Sequence, residues 1–514
     1  MPRLVLQAAL VTALIVGAVY TLTTPADMLQ LPSAQWRLVE GTRGSWGPLA
    51  CVAAVLAWSL WLEWRGQRFG TAGWIVVGVL SVTAIGWFFR GGQIDWQNSR
   101  DWQKEWTYYE AVKETLATGR LPWHINAAFH YTNKFFANPE TVIAPHLVAL
   151  TVLSIPAFVF AQSLLVVAVG VLAFRALALD LEFGPVATVA FLAVFLFNGY
   201  ILGHLGGGHL QWISCFLYPA VFLFVHRYAA GDRSRRAQAG LACALAGLLT
   251  IGGWHMFVWA ILFTASFFAV DPRRWRDGAF VALLTIGLGA YRILPAAIAH
   301  EGFRLDFLAS YRDITTFVAA FVGDPRPFDG RVLWIEYDAY VGWIGLLLLG
   351  IGLTTPLSAT WRTPVGSLWL PSLIVLVLTW GNAYRFTLFQ LPAFASQRVA
   401  SRFIIITLLG CALLGCAQLN RWLRARRFLA VKLFAVGCAG VFLAAQLLVR
   451  ADERRPAPDT GAQIPVVHVI TDTPPALSDR LGLLAGCAVT VLTSAAVLRL
   501  RRREEFGPPS TAAA

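Results

Sequence analysis

Charge is scarce in this chain. Asp, Glu, Lys and Arg make up 13% of its 514 residues, roughly half the share of an ordinary globular protein. The three or four soluble domains that such a length suggests are therefore excluded. Paired cysteines are missing as well. Cys51, Cys215, Cys243, Cys411, Cys416, Cys438 and Cys487 all sit in apolar runs, which removes a disulfide framework and a cysteine zinc site. The chain has no H-E-x-x-H, no nucleophile elbow and no C-x-x-C. No Gly-Lys-Ser/Thr follows the glycines at 206–208, so the chemistries of those motifs are unsupported. No repeat of fixed period stands out.

What the chain has in excess is apolar surface. Hydrophobic residues reach 57%, with 21 Trp and 34 Phe, and the mean hydropathy is +0.62. A helix crosses the hydrocarbon core with about 20 apolar residues. About fourteen runs qualify, near 4–21, 48–64, 72–89, 158–177, 185–202, 210–226, 239–253, 255–270, 279–298, 340–357, 367–381, 402–419, 429–449 and 481–499. The expected fold class is an all-α polytopic membrane bundle of about fourteen helices. Residues 142–156, broken by Pro145 and Pro156, are expected to be re-entrant or interfacial. The divisions are N-terminal helices (1–71), a central membrane module (72–420), C-terminal helices (421–500) and a disordered tail (501–514).

Arginine clusters at 65–68, 233–236, 273–276, 421–427 and 499–503 all fall on one side of this map. The positive-inside rule makes that side cytoplasmic and places both termini there. The net charge of +13 then marks orientation, and a nucleic-acid partner loses its support. Eight of the nine histidines fall outside: His124, His130, His146, His204, His209, His255, His300 and His468. Long outer loops are expected at 22–47, 90–141, 299–339, 382–401 and 450–480, the last a flexible linker without chemistry. Within 90–141, Trp102, Trp106, Tyr109, Val112 and Leu116 recur at helical spacing. Lys104, Glu105, Glu110 and Glu114 fill the rest of the wheel. The expectation is an amphipathic helix in the outer interface, ended by Gly119 and Pro122.

Gly119-Arg120-Leu121-Pro122-Trp123-His124, followed by Phe136-Ala137-Asn138-Pro139-Glu140 and Pro145, resembles the first outer loop of YfhO-type bacterial membrane proteins, of the GT-C glycosyltransferase superfamily. Gly207-Gly208-His209 through Tyr218-Pro219 resembles that family's glycine-histidine hairpin. Glu336-Tyr337 with Tyr340-Val341-Gly342 resembles its acidic loop end. Leu391-Pro392-Ala393-Phe394, Arg398 and Ser401-Arg402-Phe403 resemble a further element. The resemblance spans roughly 72–420. Two departures stand out: His124 replaces an Asn-Pro, and the glycine pair expected near Ala127-Ala128 is absent.

The resemblance implies a GT-C fold in the bacterial cytoplasmic membrane. It implies transfer of a sugar from a polyprenyl-phosphate carrier to an acceptor on the outer face. Asp101 is then the candidate catalytic base, with Asp95 second; from sequence alone Asp101 also fits an N-cap and Asp95 a solvated charge. Glu336 and Asp338 form a second acidic site, or merely favour a helix N-terminus. Arg398 and Arg402, four apart and expected on one helical face, and Arg292 would bind the carrier phosphate, or snorkel to headgroups. Trp123, His124, His204 and His209 are candidate substrate contacts. Two histidines without a third ligand nearby make a weak metal motif, so no cofactor is assigned and a divalent cation stays open. The polyprenyl-phosphate sugar and membrane lipid are the expected partners. Two alternatives remain: a transporter or flippase for a lipid-linked glycan, and a silent assembly subunit on the same scaffold.

Overall fold

The structure, a computed structural model, describes residues 46–97, 100–126, 133–138, 140–298, 308–323, 334–391, 394, 397–458 and 469–506. The expected helix at 4–21, the loop 22–47 up to residue 45, Ala127-Ala128, and His130, His300 and His468 lie outside these residues, while Trp46 and Gly47 already belong to a helix. Among the described residues the fold is helical, and strand-like pairing is limited to isolated bridges.

All thirteen apolar runs inside the described residues are helical. They form α1 (Trp46–Arg65), α2 (Thr71–Phe88), α4 (Ile155–Asp180), α5 (Pro185–Phe197) with α6 (Gly199–Gly206), α7 (Tyr218–Ala229), α8 (Arg235–Thr250) and α9 (Trp254–Ala269). They continue as α10 (Trp275–Leu288) with α11 (Ala290–Ile298), α13 (Gly342–Leu353), α14 (Trp369–Leu378), α16 (Ile404–Arg424), α17 (Leu429–Glu453) and α18 (Leu477–Phe506). Between them lie α3 (Arg100–Thr118), α12 (Ile314–Val322) and α15 (Gly381–Arg385). Six of the described spans have the length and apolarity to cross a membrane unaided, or seven if α9 and the helix after it, bent by 118°, count as one. The other apolar helices, α1 excepted, are too short or are broken. Within one of the six, Pro185–Gly206, Asn198 divides α5 from α6: its side chain accepts from Ile201 N at 2.9 Å and restarts the helix. Residues Pro145–Thr151 form a 3-10 turn leading into α4.

The last two segments differ from expectation. The helix α18 runs through 501–506, so the tail does not lose structure at 501. The 450–480 linker is partly ordered: α17 continues to Glu453, Ile470 pairs with Ile125, and Thr471 N donates to the His124 carbonyl.

At the centre stands α16, buried almost continuously from Ile404 to Ala417 and packed against α5, α13 and α14. At the periphery α18 lies along α10 and α11 and leaves Leu481, Leu484, Val491 and Leu492 exposed. Leu165, Val169 and Leu172 of α4 are exposed too, an apolar surface suited to a lipid surround. Close helix contact in such a surround depends on small residues. A Cβ on Gly415 would lie 2.2 Å from the Leu348 carbonyl oxygen, and one on Gly352 would lie 2.1 Å from that of Cys411.

The two ends of α16 differ. Near its C-terminus, Arg424 donates to Glu182 at 2.9 Å, Arg68 reaches the same carboxylate at 3.3 Å, and Arg426 donates to the Trp64 carbonyl. Its N-terminus meets the cluster of acids and histidines described below, about 30 Å away at 1.5 Å per residue. The arginine-rich ends therefore gather on one side and the mixed-charge cluster on the other. Gly415→Ala is expected to lower the apparent melting temperature of the purified protein, because backbone must move. Gly350→Ala, with nothing within 4 Å of its Cβ, should leave it unchanged.

Candidate functional site

The glycine turn after α6 builds the site. Gly208 has φ +96°, and a Cβ there would lie 2.6 Å from Trp102 N, so only glycine lets the first turn of α3 settle against it. Trp102 Nε1 then donates to the Gly206 carbonyl at 3.3 Å. This contact sets Asp101 beside His209, whose Nε2 lies 3.1 Å from Asp101 Oδ2. Asp101 occupies the first turn of the helix, one residue inside it, and does not act as its cap.

From Asp101 the cluster extends both ways. His209 Nδ1 lies 2.7 Å from His204 Nδ1, and both imidazoles stack on Trp212, at 4.5 Å for His204 and 4.9 Å for His209. His204 Nε2 faces Glu336 Oε2 at 3.8 Å. Arg402 donates twice to Glu336, both bonds 2.5 Å, while its guanidinium covers Trp212 at 5.0 Å. On the other side, the Lys104 ammonium lies 3.9 Å from Asp101, 3.6 Å from Glu105 and 3.2 Å from Glu140. Gln211 and His255 also reach Glu140, at 3.4 Å each. His255 Nδ1 and Trp259 Nε1 both meet Gln397 Oε1. Residues from six stretches far apart in sequence thus meet at one end of the bundle.

Burial separates the carboxylates. The Asp101 side chain is 41% exposed, against 13% for Glu140, 10% for Glu336 and 3% for Glu105. Asp101 is therefore the open acid of the group. Burial works to raise its pKa, but the His209 hydrogen bond and charge, with Lys104, outweigh burial and hold it below the ordinary value. At Glu336 burial opposes ionisation too, and the Arg402 guanidinium overrides it, keeping the carboxyl well below its usual range. Burial would neutralise Lys104, but Glu140 first and then Glu105 hold its pKa up. At Glu105 burial wins: its pKa rises to about 8 despite Lys104, whose charge is shared with Glu140 and Asp101. Glu105 is mostly protonated at neutral pH.

The other expected site residues go elsewhere. Asp95 is half-buried, accepts from Gln97 N and pairs its backbone with Ala457. Asp338 parts company with Glu336: fully buried, it accepts from Arg450 at 2.9 Å and Arg454 at 2.5 Å, tying α17 to the 334–341 segment. Arg398 and Arg402 share no helical face, because residue 398 precedes the 400–403 turn and its carbonyl accepts from Ala309 N. Arg292 is buried and donates to the Asn138 and Thr141 carbonyls at 2.8 and 2.7 Å, clamping the loop that carries Glu140. Trp123 packs on Phe136, and His124 Nδ1 lies 3.1 Å from the Thr473 carbonyl oxygen. The interfacial helix is corrected as well: α3 exists as spaced, but Trp102, Tyr109, Lys104 and Glu105 are all buried in protein. Lys104, Glu105, Glu140, Gln211, Trp212, His255 and Gln397 were not expected in the site. The only sequence signal among them was Glu140, at the end of the Asn138-Pro139 element.

Beside the cluster, a lateral cavity of about 760 Å³ runs between α4, α8, α11 and α18. Its wall is apolar, and its roof at 143–147 begins three residues after Glu140. Tyr291 and His146 line it at that end. A comparison with protein-family models and with curated proteins finds no match to the chain.

Two stability measurements follow. Glu336→Gln strands a buried guanidinium and is expected to cost about 3–5 kcal/mol, seen as a large fall in apparent melting temperature. Glu105 has a folded-state pKa above its unfolded one, so its contribution favours folding below about 4.5 and is lost as pH rises towards about 8. Glu105→Gln should therefore match the wild type at the acid end and melt progressively higher than it as pH approaches 8, tracked by thermal unfolding across pH.

Proposed function

We propose that this chain is a membrane glycosyltransferase that moves a sugar from a polyprenyl-phosphate carrier to an acceptor hydroxyl on the outer face of the bacterial cytoplasmic membrane. The observation that carries the reading is Asp101: a half-exposed, ionised carboxylate paired with His209 and set among buried charges at one end of membrane-length helices. The first-loop aspartate is also the residue to which the GT-C resemblance assigns catalysis.

In this reading the acceptor oxygen attacks the anomeric carbon. The bond from that carbon to the carrier phosphate oxygen breaks, and the hydroxyl proton passes to Asp101. Since the phosphate leaves with the bonding electrons, it needs cationic stabilisation. Arg402 is the guanidinium in the cluster, and Lys104 the ammonium. The apolar cavity beneath 143–147 has the size of a ligand pocket and suits a segment of isoprenoid chain. The arginine-rich end of the bundle would be cytoplasmic by the positive-inside rule, which sets the cluster outside. A transporter would place charged groups near the membrane midplane, whereas this cluster sits at a helix end.

The test is transfer from a synthetic polyprenyl-phosphate sugar by the purified protein in lipid nanodiscs. Asp101→Asn is expected to lower turnover by about 10²–10⁴-fold with the melting temperature little changed. Because the Asp101 pKa is depressed, the acid limb of the wild-type pH profile should lie below the ordinary carboxylate range. Counter-transport of the lipid-linked sugar without covalent turnover would reverse the assignment.

A further inference from the structure

We propose that His204, His209 and Glu336 form a binding site for one zinc-class divalent ion, with Asp101 as the outer partner of His209. One ring nitrogen from each imidazole and a carboxylate oxygen of Glu336 lie within 4.8 Å of one another. Ligand atoms around tetrahedral zinc stand roughly 3.3 Å apart, so modest side-chain rotation closes the set. Two imidazoles and one carboxylate are the donors that zinc and its first-row neighbours favour over magnesium or calcium.

Two independent features point to a cation here. The 2.7 Å contact of the two Nδ1 atoms is a hydrogen bond that one ring donates and the other accepts, and an ion bound through His209 Nδ1 would displace that proton. The first feature is His204 Nε2, which is completely buried and has no hydrogen-bond partner. A buried ring nitrogen left unmatched is costly, and a ligand at this position removes the cost. The second is the Asp101–His209 contact of 3.1 Å. Carboxylates commonly accept from the far nitrogen of a metal-bound histidine, fixing its tautomer and strengthening it as a ligand.

The neighbouring charges permit the ion. Asp101, Glu140 and Glu336 face Lys104 and Arg402 across the cluster, while His255 and Glu105 lie at its margin. With His209 neutral, as a metal ligand must be, three carboxylates outnumber two cations there, leaving a negative excess. Arg402 takes lone pairs of Glu336 but leaves others, since a carboxylate offers about four acceptor positions. It also fixes the plane of the carboxylate, while the Ser401 hydroxyl donates to the Glu336 backbone carbonyl at 2.7 Å and holds the main chain there. Trp212 walls the site and holds both rings in place. Resting on the glycosyl-transfer reading, the ion would share the charge of the departing phosphate beside the base.

The experiment uses the full chain purified through a histidine-free tag, loaded with Zn²⁺, dialysed and analysed for metal content. Wild type is expected to retain about one equivalent. His209→Ala and Glu336→Gln should lose it, and Asp101→Asn should weaken binding by about 10–100-fold. His124→Ala, outside the cluster, should bind as wild type does. Substoichiometric zinc in folded wild type, or equal zinc in wild type and His209→Ala, overturns the site. If the variants fail to fold, Co²⁺ absorption of the wild type decides. A tetrahedral ligand-field band supports the site, and the spectrum of aqueous Co²⁺ refutes it. Zinc binding without sugar transfer would keep this site and remove the transferase assignment. Transfer undiminished by chelation would remove the ion from the reaction.

Discussion

Arg402 and Glu336, 66 positions apart, meet in a buried space through two hydrogen bonds of 2.5 Å. Two charges taken out of water are tolerable only when each satisfies the other. Satisfying that demand fixes the N-terminal end of α16 against the segment before α13. Ser401 reinforces the join through the Glu336 carbonyl. Once Glu336 is fixed, His204 has an acidic neighbour. Arg402 laid over Trp212 then fixes the surface on which both imidazoles stack. Much of the site geometry depends on this pair.

A second join, one carboxylate between two arginines, supports it. Asp338 is surrounded by Arg450 and Arg454 and so binds the end of α17 to the same short segment. The residues 336 and 338, two positions apart in sequence and similar in chemistry, do different things: one faces the histidines, and the other anchors a helix. The clamp by Arg292 on the Asn138–Thr141 loop is comparable. An arginine that resembled a phosphate ligand by position instead places Glu140. In this protein Arg292, Arg450 and Arg454 serve as braces.

How far the sequence reached depended on the range of the interaction. Helical periodicity located α3 to within a few residues, because the pattern Trp102, Trp106, Tyr109 is local. The same pattern could not tell whether its surround was lipid or protein, since both accept an aromatic face. Lys104 and Glu105 went to the polar side of the wheel for the same reason. Glu140 turned that side inward by supplying a counter-charge from 36 positions away. Asp101, His204, His209, Glu336 and Arg402 were identifiable as polar groups at one end of apolar runs. Their mutual contacts were not.

The sequence by itself determined an all-helical, lipid-suited chain and the sorting of its arginines to one end, because hydropathy and charge are properties of local composition. The glycines at 206–208 were legible only as a hairpin; the approach of Trp102 to Gly208 is a contact that packing alone makes. Only the tertiary structure decided which acids face which bases. That choice is made by burial: taking ions from water forces each to find a partner, and the partners here come from segments that only packing brings together.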